Sequence, residues 1–435
     1  MTPTRPAKNG FTFSGAAAPA PLELLNLASR CGGRRFNQWA SLNDQDLLDI
    51  ASRKTRLSDW GEPDFQPALS AMLDAVVHQG RLTPWGRITL RAFLLQSLTA
   101  RLRIVDMLKR YPQIAETEIQ RPIFIVGWYR TGTTLLHNLL ATHPQLRAPL
   151  FWELRDPCSL SSPRRAAARR AVRHARWTHR IHRYLSPGFE TAHAIDAEKP
   201  EECVYLFDNA CVSPMTFFTS EAKDFAWWLL ANDISQAYRF YRSQLQLLSW
   251  ARPGQRWLLK WPYHLWHLDA LLETFPDAQI IHMHRDPVES LPSVCSLAAL
   301  ARSAFCETVD RAALGRFWLR YYDAGLQRGL QARGLASQQQ FSDVRFSELV
   351  RDPLQVIERL QKPTGLTLTD EWAGVLRTHL AQNPRHRFGV HKYGLSQFGL
   401  GIDEIHERFA GYTASYGMVE EPVKNVLSTR YRAAS

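Results

Sequence analysis

The feature that most constrains the fold is a loop bounded by two glycines, which joins an apolar run to a helix-like segment. Residues 123–126 are all apolar, Gly127 and Gly132 enclose four residues, and Thr133 and Thr134 follow. This is the spacing of a Walker A loop, whose backbone N–H groups surround a phosphate at the N-terminus of a helix. The sequence therefore predicts a strand, an anion-binding loop and a helix in succession.

The cation of this loop does not stand where a nucleoside triphosphatase has it. Such enzymes need a lysine directly after the second glycine, on the β- and γ-phosphates, and this chain has Thr133 there. Its cation is Arg130, three positions earlier. Asp286 resembles a magnesium ligand but is flanked by Arg285 and His284, a poor setting for a divalent cation. We therefore expect no metal site and an anion other than a nucleoside triphosphate.

Composition restricts the class of protein. The 435 residues are 45% hydrophobic and 22% charged, as in globular proteins with a large core. The sequence offers no apolar run of membrane-spanning length, no apolar core of a secretory signal and no C-x-x-C pair. We therefore expect a cytoplasmic protein with reduced thiols. The net charge of +12 favours an anionic ligand or surface.

The pattern changes near residue 120. Residues 22–111 have helical periodicity, whereas strand-like runs alternate with helical stretches further on, at residues 123–126, 257–259, 279–283 and 343–346. We predict an α-helical N-terminal subdomain over residues 1–118. Residues 119–435 are predicted to form a P-loop-type α/β domain with a mostly parallel sheet flanked by helices. Ligands of such sheets bind beyond the carboxyl ends of the strands, where Gly127 and Arg285 both fall.

A second group of residues favours a phosphate. Arg285 ends a strand-like run, Pro287 begins a helix, and Ser293 lies about two helical turns beyond Arg285. An arginine fork and a small hydroxyl together suit a phosphate. The alternative is that Arg285 and Asp286 pair to cap the helix, with Ser293 merely exposed.

These segments together resemble sulfotransferases that use 3′-phosphoadenosine 5′-phosphosulfate (PAPS), in particular the long bacterial-type branch with a helical N-terminal region. The resemblance rests on residues 130–134, on Arg285 with Ser293, and on residues 344–353 in that order. It extends over roughly residues 120–400. It implies a transferase that moves a sulfuryl group from PAPS, without a metal, to a hydroxyl or amine of an acceptor.

The resemblance also implies residue roles. The 5′-phosphosulfate would lie against Arg130, Thr131, Gly132, Thr133 and Thr134. Arg285 and Ser293 would hold the 3′-phosphate, which distinguishes this donor from ATP. A late basic segment, residues 385–394, would close over the nucleotide through Arg387, Gly389 and Tyr393.

Sulfuryl transfer needs donors on the departing oxygen, where negative charge builds up. Arg130 and the loop hydroxyls can supply them. Lys260 follows the strand-like run 257–259 and could reach the sulfate or the acceptor; the alternative is a surface lysine. Glu201 and Glu202 follow Pro200, and we expect them to begin a helix and favour its N-terminal end; the alternative is that one of them orients His193.

A general base must take the proton of the acceptor, and the sequence leaves two candidates open. His193 has a pKa suited to neutral pH, and a histidine base is common in the cytosolic branch of the family. Glu153 lies shortly after the loop helix, where some sulfotransferases place a catalytic glutamate. The alternatives are a surface-loop histidine and a helix-end carboxylate.

Two segments bear on the partner. Residues 164–183 are rich in arginine without an acidic residue, which favours peripheral contact with an anionic surface or, alternatively, a solvated helix or a rim of the nucleotide site. Aromatic residues within 205–228 belong either to the core or to an apolar acceptor pocket. We expect a small-molecule, lipid or carbohydrate acceptor and no nucleic acid. The rival functions are a magnesium-dependent P-loop nucleotide kinase and a non-enzymatic polyanion-binding protein.

Overall fold

A computed structural model describes residues 11–12, 40–159, 165–185, 196–383 and 391–418. Its strands are β1 (Phe11–Thr12), β2 (Ile123–Gly127), β3 (Leu146–Arg147), β4 (Arg256–Lys260), β5 (Gln279–His284), β6 (Phe341–Arg345) and β7 (His391–Lys392). Its α-helices are α1 (Asp44–Thr55), α2 (Gln66–Gln79), α3 (Pro84–Arg110), α4 (Thr133–Leu140), α5 (Phe151–Arg155), α6 (Arg165–Leu185), α7 (Val204–Asp208), α8 (Met215–Thr219), α9 (Lys223–Ala231), α10 (Ser235–Ala251), α11 (Leu268–Thr274), α12 (Pro287–Ser303), α13 (Arg311–Leu335), α14 (Phe346–Arg351), α15 (Pro353–Thr364), α16 (Asp370–Gln382) and α17 (Ile402–Ser415). Short 3₁₀ segments lie at Pro63–Phe65, Pro112–Ile114, Pro157–Ser159, Pro262–His267, Gln338–Gln340 and Leu395–Phe398.

The main sheet is parallel and has the strand order β3-β4-β2-β5-β6. Helices cover both faces of the sheet, as the side chains of the central strand β2 show. Successive side chains of this strand pack alternately in two different apolar clusters. Phe124 and Val126 pack in one cluster, and Ile123 and Ile125 pack in the other. The predicted α/β class with a parallel sheet is therefore confirmed.

The four predicted strands of this sheet are all present, with small shifts at their ends. The last of them ends at Arg345, and Phe346 already begins α14. The two-residue edge strand β3 was not predicted. Outside this sheet, β1 pairs with β7 in parallel.

The strand register brings three segments to one edge of the sheet. Gly127 of β2 is paired with Met283 of β5, and Ile125 of β2 is paired with Lys260 of β4. The loop after β2, the last residue of β4 and the residues after β5 therefore emerge side by side. This is the edge where ligands of parallel sheets bind.

The N-terminal helices pack against the same core as the sheet. Leu69 of α2 and Leu98 of α3 lie in one apolar cluster with Phe124 of β2. The division into two units at residues 118 and 119 stays a prediction. Among the helices of the described residues, none combines the length and apolar character that a membrane-spanning segment needs.

Candidate active site

The loop after β2 has a backbone that requires both of its glycines. Gly127 has a φ of 148°, and a Cβ there would lie 2.6 Å from the carbonyl oxygen of Met283. Gly132 has a φ of 91°, and its Cβ would lie 2.7 Å from the ring of Phe346. Inside the loop, the hydroxyl of Thr131 donates to the carbonyl oxygen of Trp128 at 2.7 Å. The sequence thus fixes a tight turn directly before helix α4.

The structure brings together the residues predicted for the two ends of the donor. Arg130 has a left-handed backbone, and its Nε donates to the hydroxyl of Ser293 at 3.1 Å. Arg285 in turn donates from Nη1 to the carbonyl oxygen of Arg130 at 2.7 Å. The loop and the β5–α12 segment are therefore one contiguous basic surface, although Arg130 and Ser293 are 163 residues apart in the chain.

The electrostatics of this surface favour an anion. Burial lowers the pKa of the Arg130 guanidinium, and repulsion from Arg285 adds to this effect, while Tyr393 opposes it. A desolvated cation beside a second cation is stabilised when a negative charge enters between them. The residues present therefore fit a phosphate or a phosphosulfate.

Helix α12 combines features of both sequence interpretations. The carboxylate of Asp286 accepts from the backbone N–H of Val288 at 2.8 Å and so caps the helix, as the alternative interpretation has it. Arg285 pairs instead with Glu289 at 2.9 Å and lies 4.2 Å from the ring centre of Phe346. Ser293 is buried rather than exposed and faces Arg130. One oxygen of the Asp286 carboxylate is thus used by the cap, and the absence of a metal site stays a prediction.

Lys260 is the cation that the loop itself lacks. It ends β4, is only 1% exposed, and donates from Nζ to the hydroxyl of Thr134 at 3.2 Å. The same ammonium donates to Oε1 of Glu202 at 2.5 Å. A lysine from the neighbouring strand therefore reaches the first turn of α4, whereas the residue after the second glycine is Thr133.

Glu202 is the site residue that the sequence did not reveal. The expectation that Glu201 and Glu202 begin a helix was wrong, because α7 begins at Val204 and its N-cap, Cys203, makes no side-chain cap bond. The carboxylate of Glu202 is held at Lys260 instead. The Pro200-Glu-Glu sequence was visible, but its partner lies 58 residues further along the chain.

Glu153 forms a buried ion pair with Arg147. Its Oε1 accepts from Arg147 at 3.2 Å, and its Oε2 accepts from the backbone N–H of Leu150 at 3.0 Å. Arg147 itself stacks over the ring of Trp257 at 4.4 Å. This geometry gives Glu153 a structural task, and its role as a base stays a prediction.

Three of the predicted site residues, His193, Arg387 and Gly389, lie outside the described residues. Tyr393 lies within them and exerts its electrostatic effect on Arg130. The roles implied for all the predicted site residues stay predictions.

A cluster is formed by His282 and His284 of β5 and Asp343 of β6, whose possible ligand atoms lie within 4.8 Å of one another. His284 contacts Asp343 at 2.7 Å, and Arg333 donates to both oxygens of Asp343 at 2.7 and 2.8 Å. Arg333 also donates to His282 at 2.9 Å. Because the Arg333 guanidinium already donates to two of the three residues, the geometry favours a structural network over a metal site.

The arginine-rich segment forms helix α6 over Arg165–Leu185. Its small apolar side chains, Ala168, Ala171, Val172 and Ala175, pack with Phe151 and Trp152 of α5. Its outward side carries the exposed residues Arg169, Arg170, Arg173, Arg176, Trp177 and Arg180. The apolar side is thus already covered, and the exposed side is strongly basic.

Comparison with known proteins agrees with this geometry. Residues 122–370 match the family model of the sulfotransferase family. Omega-hydroxy-beta-dihydromenaquinone-9 sulfotransferase Stf3 of Mycobacterium bovis is 26% identical over 384 residues, which cover 82% of this chain and 92% of that protein. The protein of the same name from Mycobacterium tuberculosis matches equally well.

Two solved structures have a similar backbone. Sulfotransferase STF1 from Mycobacterium tuberculosis H37Rv aligns with a TM-score of 0.74 and 31% identity, over 85% of this chain and 98% of its own. Sulfotransferase STF9 from Mycobacterium avium aligns with a TM-score of 0.77 and 26% identity, over 86% of this chain and 96% of its own.

Proposed function

Because this chain belongs to the sulfotransferase family, we propose that it transfers a sulfuryl group from PAPS to a hydroxyl of a lipid-like acceptor. Membership of the family decides against the nucleotide kinase and against the non-enzymatic polyanion-binding protein. The observation that carries the mechanism is the position of Lys260, whose ammonium lies 3.2 Å from the hydroxyl of Thr134 in the loop helix.

The residues at the sheet edge suit both ends of this donor. The N–H groups of the tight loop and the hydroxyls of Thr133 and Thr134 are available to the 5′-phosphosulfate. Arg285 and Ser293 are available to the 3′-phosphate, a group that AMP and ATP lack. Bound there, the donor supplies an activated sulfuryl group, and the protein supplies orientation and charge stabilisation.

Lys260 stabilises the charge of the leaving group. Negative charge develops on the oxygen that bridges phosphorus and sulfur, and a buried ammonium fixed in place stabilises that charge without reorganisation. Its counter-ion Glu202 holds the ammonium near Thr134. The cation is therefore oriented before the reaction begins.

Glu202 is the carboxylate that we propose as general base. Both oxygens of Glu153 are engaged, by Arg147 and by a backbone N–H. Glu202 contacts Lys260 of β4 through Oε1, and its carboxylate can accept the proton of an acceptor hydroxyl as the oxygen–sulfur bond forms. His193 is the remaining alternative. Single-turnover transfer by Glu202→Gln, Glu153→Gln and His193→Ala is measured as a function of pH. Only loss of the base removes the fall of the transfer rate at acidic pH, whereas loss of the counter-ion of Lys260 lowers the rate at every pH.

The acceptor is proposed from a relative. Stf3 is named for a hydroxylated menaquinone derivative, which is a lipid-like substrate. For a lipid-like acceptor we propose that the exposed side of α6 contacts an anionic membrane surface. Helix α6 would lie against the surface without insertion, because its apolar side already packs on Trp152.

The contact of α6 is tested by sedimentation with vesicles. The protein should sediment with phosphatidylglycerol vesicles and not with phosphatidylcholine vesicles. A triple Arg169→Gln, Arg173→Gln and Arg180→Gln variant should lose most of this binding. Equal sedimentation of the variant and the unmodified protein would remove α6 from the proposal.

The donor is tested by thermal shift. Adenosine 3′,5′-bisphosphate should raise the melting temperature far more than AMP or ADP at equal concentration, because only the bisphosphate contacts both basic groups. Incubation with ³⁵S-labelled PAPS and a lipid extract should then label a product. A response to ADP with magnesium that exceeds the response to the bisphosphate would contradict the proposed donor.

A further inference from the structure

A pocket outside the loop and Lys260 cluster lies between the N-terminal halves of α9 and α13. It has a volume of about 280 Å³ and is lined by Lys223, Trp227, Ala313, Arg316, Phe317 and Arg320. Lys223 and Trp227 come from successive turns of α9, and the other four residues come from successive turns of α13. The two helices therefore present one basic rim around an aromatic floor.

None of the three cations of the rim forms a salt bridge among the described residues. Arg316 and Arg320 are exposed and lie four residues apart on one helix side, a repulsive arrangement. Lys223 faces them from the other helix. The carboxylate with an electrostatic link to Lys223 and Arg316 is Asp310, and its oxygen is already used to cap the backbone N–H of Ala313. Three neighbouring positive charges with a single carboxylate in electrostatic range leave a net positive charge that is suited to an external anion.

The floor of the pocket is aromatic and rigid. Trp227 is 38% exposed, and its ring contacts Tyr321 edge-on at 5.3 Å and Phe317 at 6.4 Å. Phe317 stacks on Tyr321 at 5.3 Å and is buried. A ligand here would contact the exposed indole with an apolar or aromatic part while its anion meets the cations.

We propose that this pocket binds a phosphate ester whose body is apolar. Such a ligand places its phosphate between Lys223, Arg316 and Arg320 and its body on Trp227. A free aryl phosphate and the headgroup of an anionic phospholipid share this chemistry. The pocket shares no lining residue with the donor loop, so the proposal stands independently of the sulfuryl transfer.

The test is isothermal titration of the full chain with phenyl phosphate and, separately, with monomeric dihexanoyl phosphatidylglycerol. Excess adenosine 3′,5′-bisphosphate is present in both arms to occupy the nucleotide site. The double variant Arg316→Gln with Arg320→Gln removes two exposed charges of the rim. Glutamine favours a helix about as well as arginine does, so α13 is retained. Its matched control is Arg53→Gln with Lys54→Gln, two exposed charges on α1.

The double variant in the pocket should bind the probe with a dissociation constant at least about tenfold higher, because two charge-assisted contacts are lost. The control pair should bind as the unmodified protein does. A response to phenyl phosphate alone assigns the pocket to a free ester, and a response to the phospholipid alone assigns it to a headgroup. The proposal is wrong if neither probe binds, or if the pocket variant retains the binding of the control.

Discussion

Replacement of Lys260 by methionine separates transition-state stabilisation from nucleotide binding. The ammonium is 1% exposed and lies 3.2 Å from Thr134, so it acts where solvent screening is weak. Loss of one preoriented donor of this kind slows an enzyme about 10²–10³-fold, or about 2.7–4 kcal/mol of transition-state stabilisation. In bound PAPS the bridging oxygen has not yet acquired the negative charge of the transition state, so we expect the dissociation constant of PAPS to change by less than about threefold.

The assay is single-turnover transfer over a series of labelled PAPS concentrations, which gives both the transfer rate and the dissociation constant of PAPS. Lys260→Met also leaves Glu202 without a counter-ion, which lowers stability. The double variant Lys260→Met with Glu202→Gln should therefore recover stability and remain slow. Lys109→Met, at a side chain that is 63% exposed, is the matched control. Transfer by Lys260→Met within about threefold of the unmodified rate would refute this role of Lys260, and so would a loss of PAPS affinity as large as the loss of rate.

Three further substitutions test the site and the core. Ser293→Ala should weaken adenosine 3′,5′-bisphosphate about tenfold in calorimetry and leave AMP unchanged, since only the bisphosphate has a 3′-phosphate. Gly132→Ala should lower the melting temperature and abolish the bisphosphate response, because its Cβ would lie 2.7 Å from the Phe346 ring; a normal melt would contradict this. Burial lowers the pKa of His264 to about 3, so its contribution to stability is complete above the unfolded pKa near 6.5 and is lost as the pH falls below it. Between pH 7 and pH 5 this group alone should lower the free energy of unfolding by about 2 kcal/mol. In urea titrations at the two pH values, His264→Gln should remove this contribution, and the exposed control His78→Gln should keep it.

The sheet could be predicted because its central strands are buried on both faces. Such strands appear in a sequence as short continuous apolar runs, and Ile123–Gly127 is completely buried. The loop after it could be predicted because Gly127 and Gly132 occupy backbone positions that other residues adopt poorly. The strand Leu146–Arg147 escaped prediction because two residues carry no periodicity.

The parts of the site that escaped prediction depend on contacts between distant segments. Nothing near Glu202 in the sequence indicates that its carboxylate meets Lys260, 58 residues away. The ion pair of Glu153 with Arg147 is local, yet its burial depends on the sheet beneath it and on Leu248, whose carbonyl oxygen accepts from Arg147. Sequence periodicity assigns a residue to an element, whereas the partner of a buried charge follows only from tertiary packing.

The left-handed backbone of Arg130, with a φ of 70°, has an evolutionary consequence. A non-glycine residue costs about 1 kcal/mol in that conformation, so the chain retains a guanidinium at a place where glycine would be the relaxed choice. Arg130→Gly would relieve the backbone and remove the charge. With the role predicted for Arg130 at the donor, this one position sets backbone strain against catalysis, and selection for thermal stability alone would favour loss of that charge.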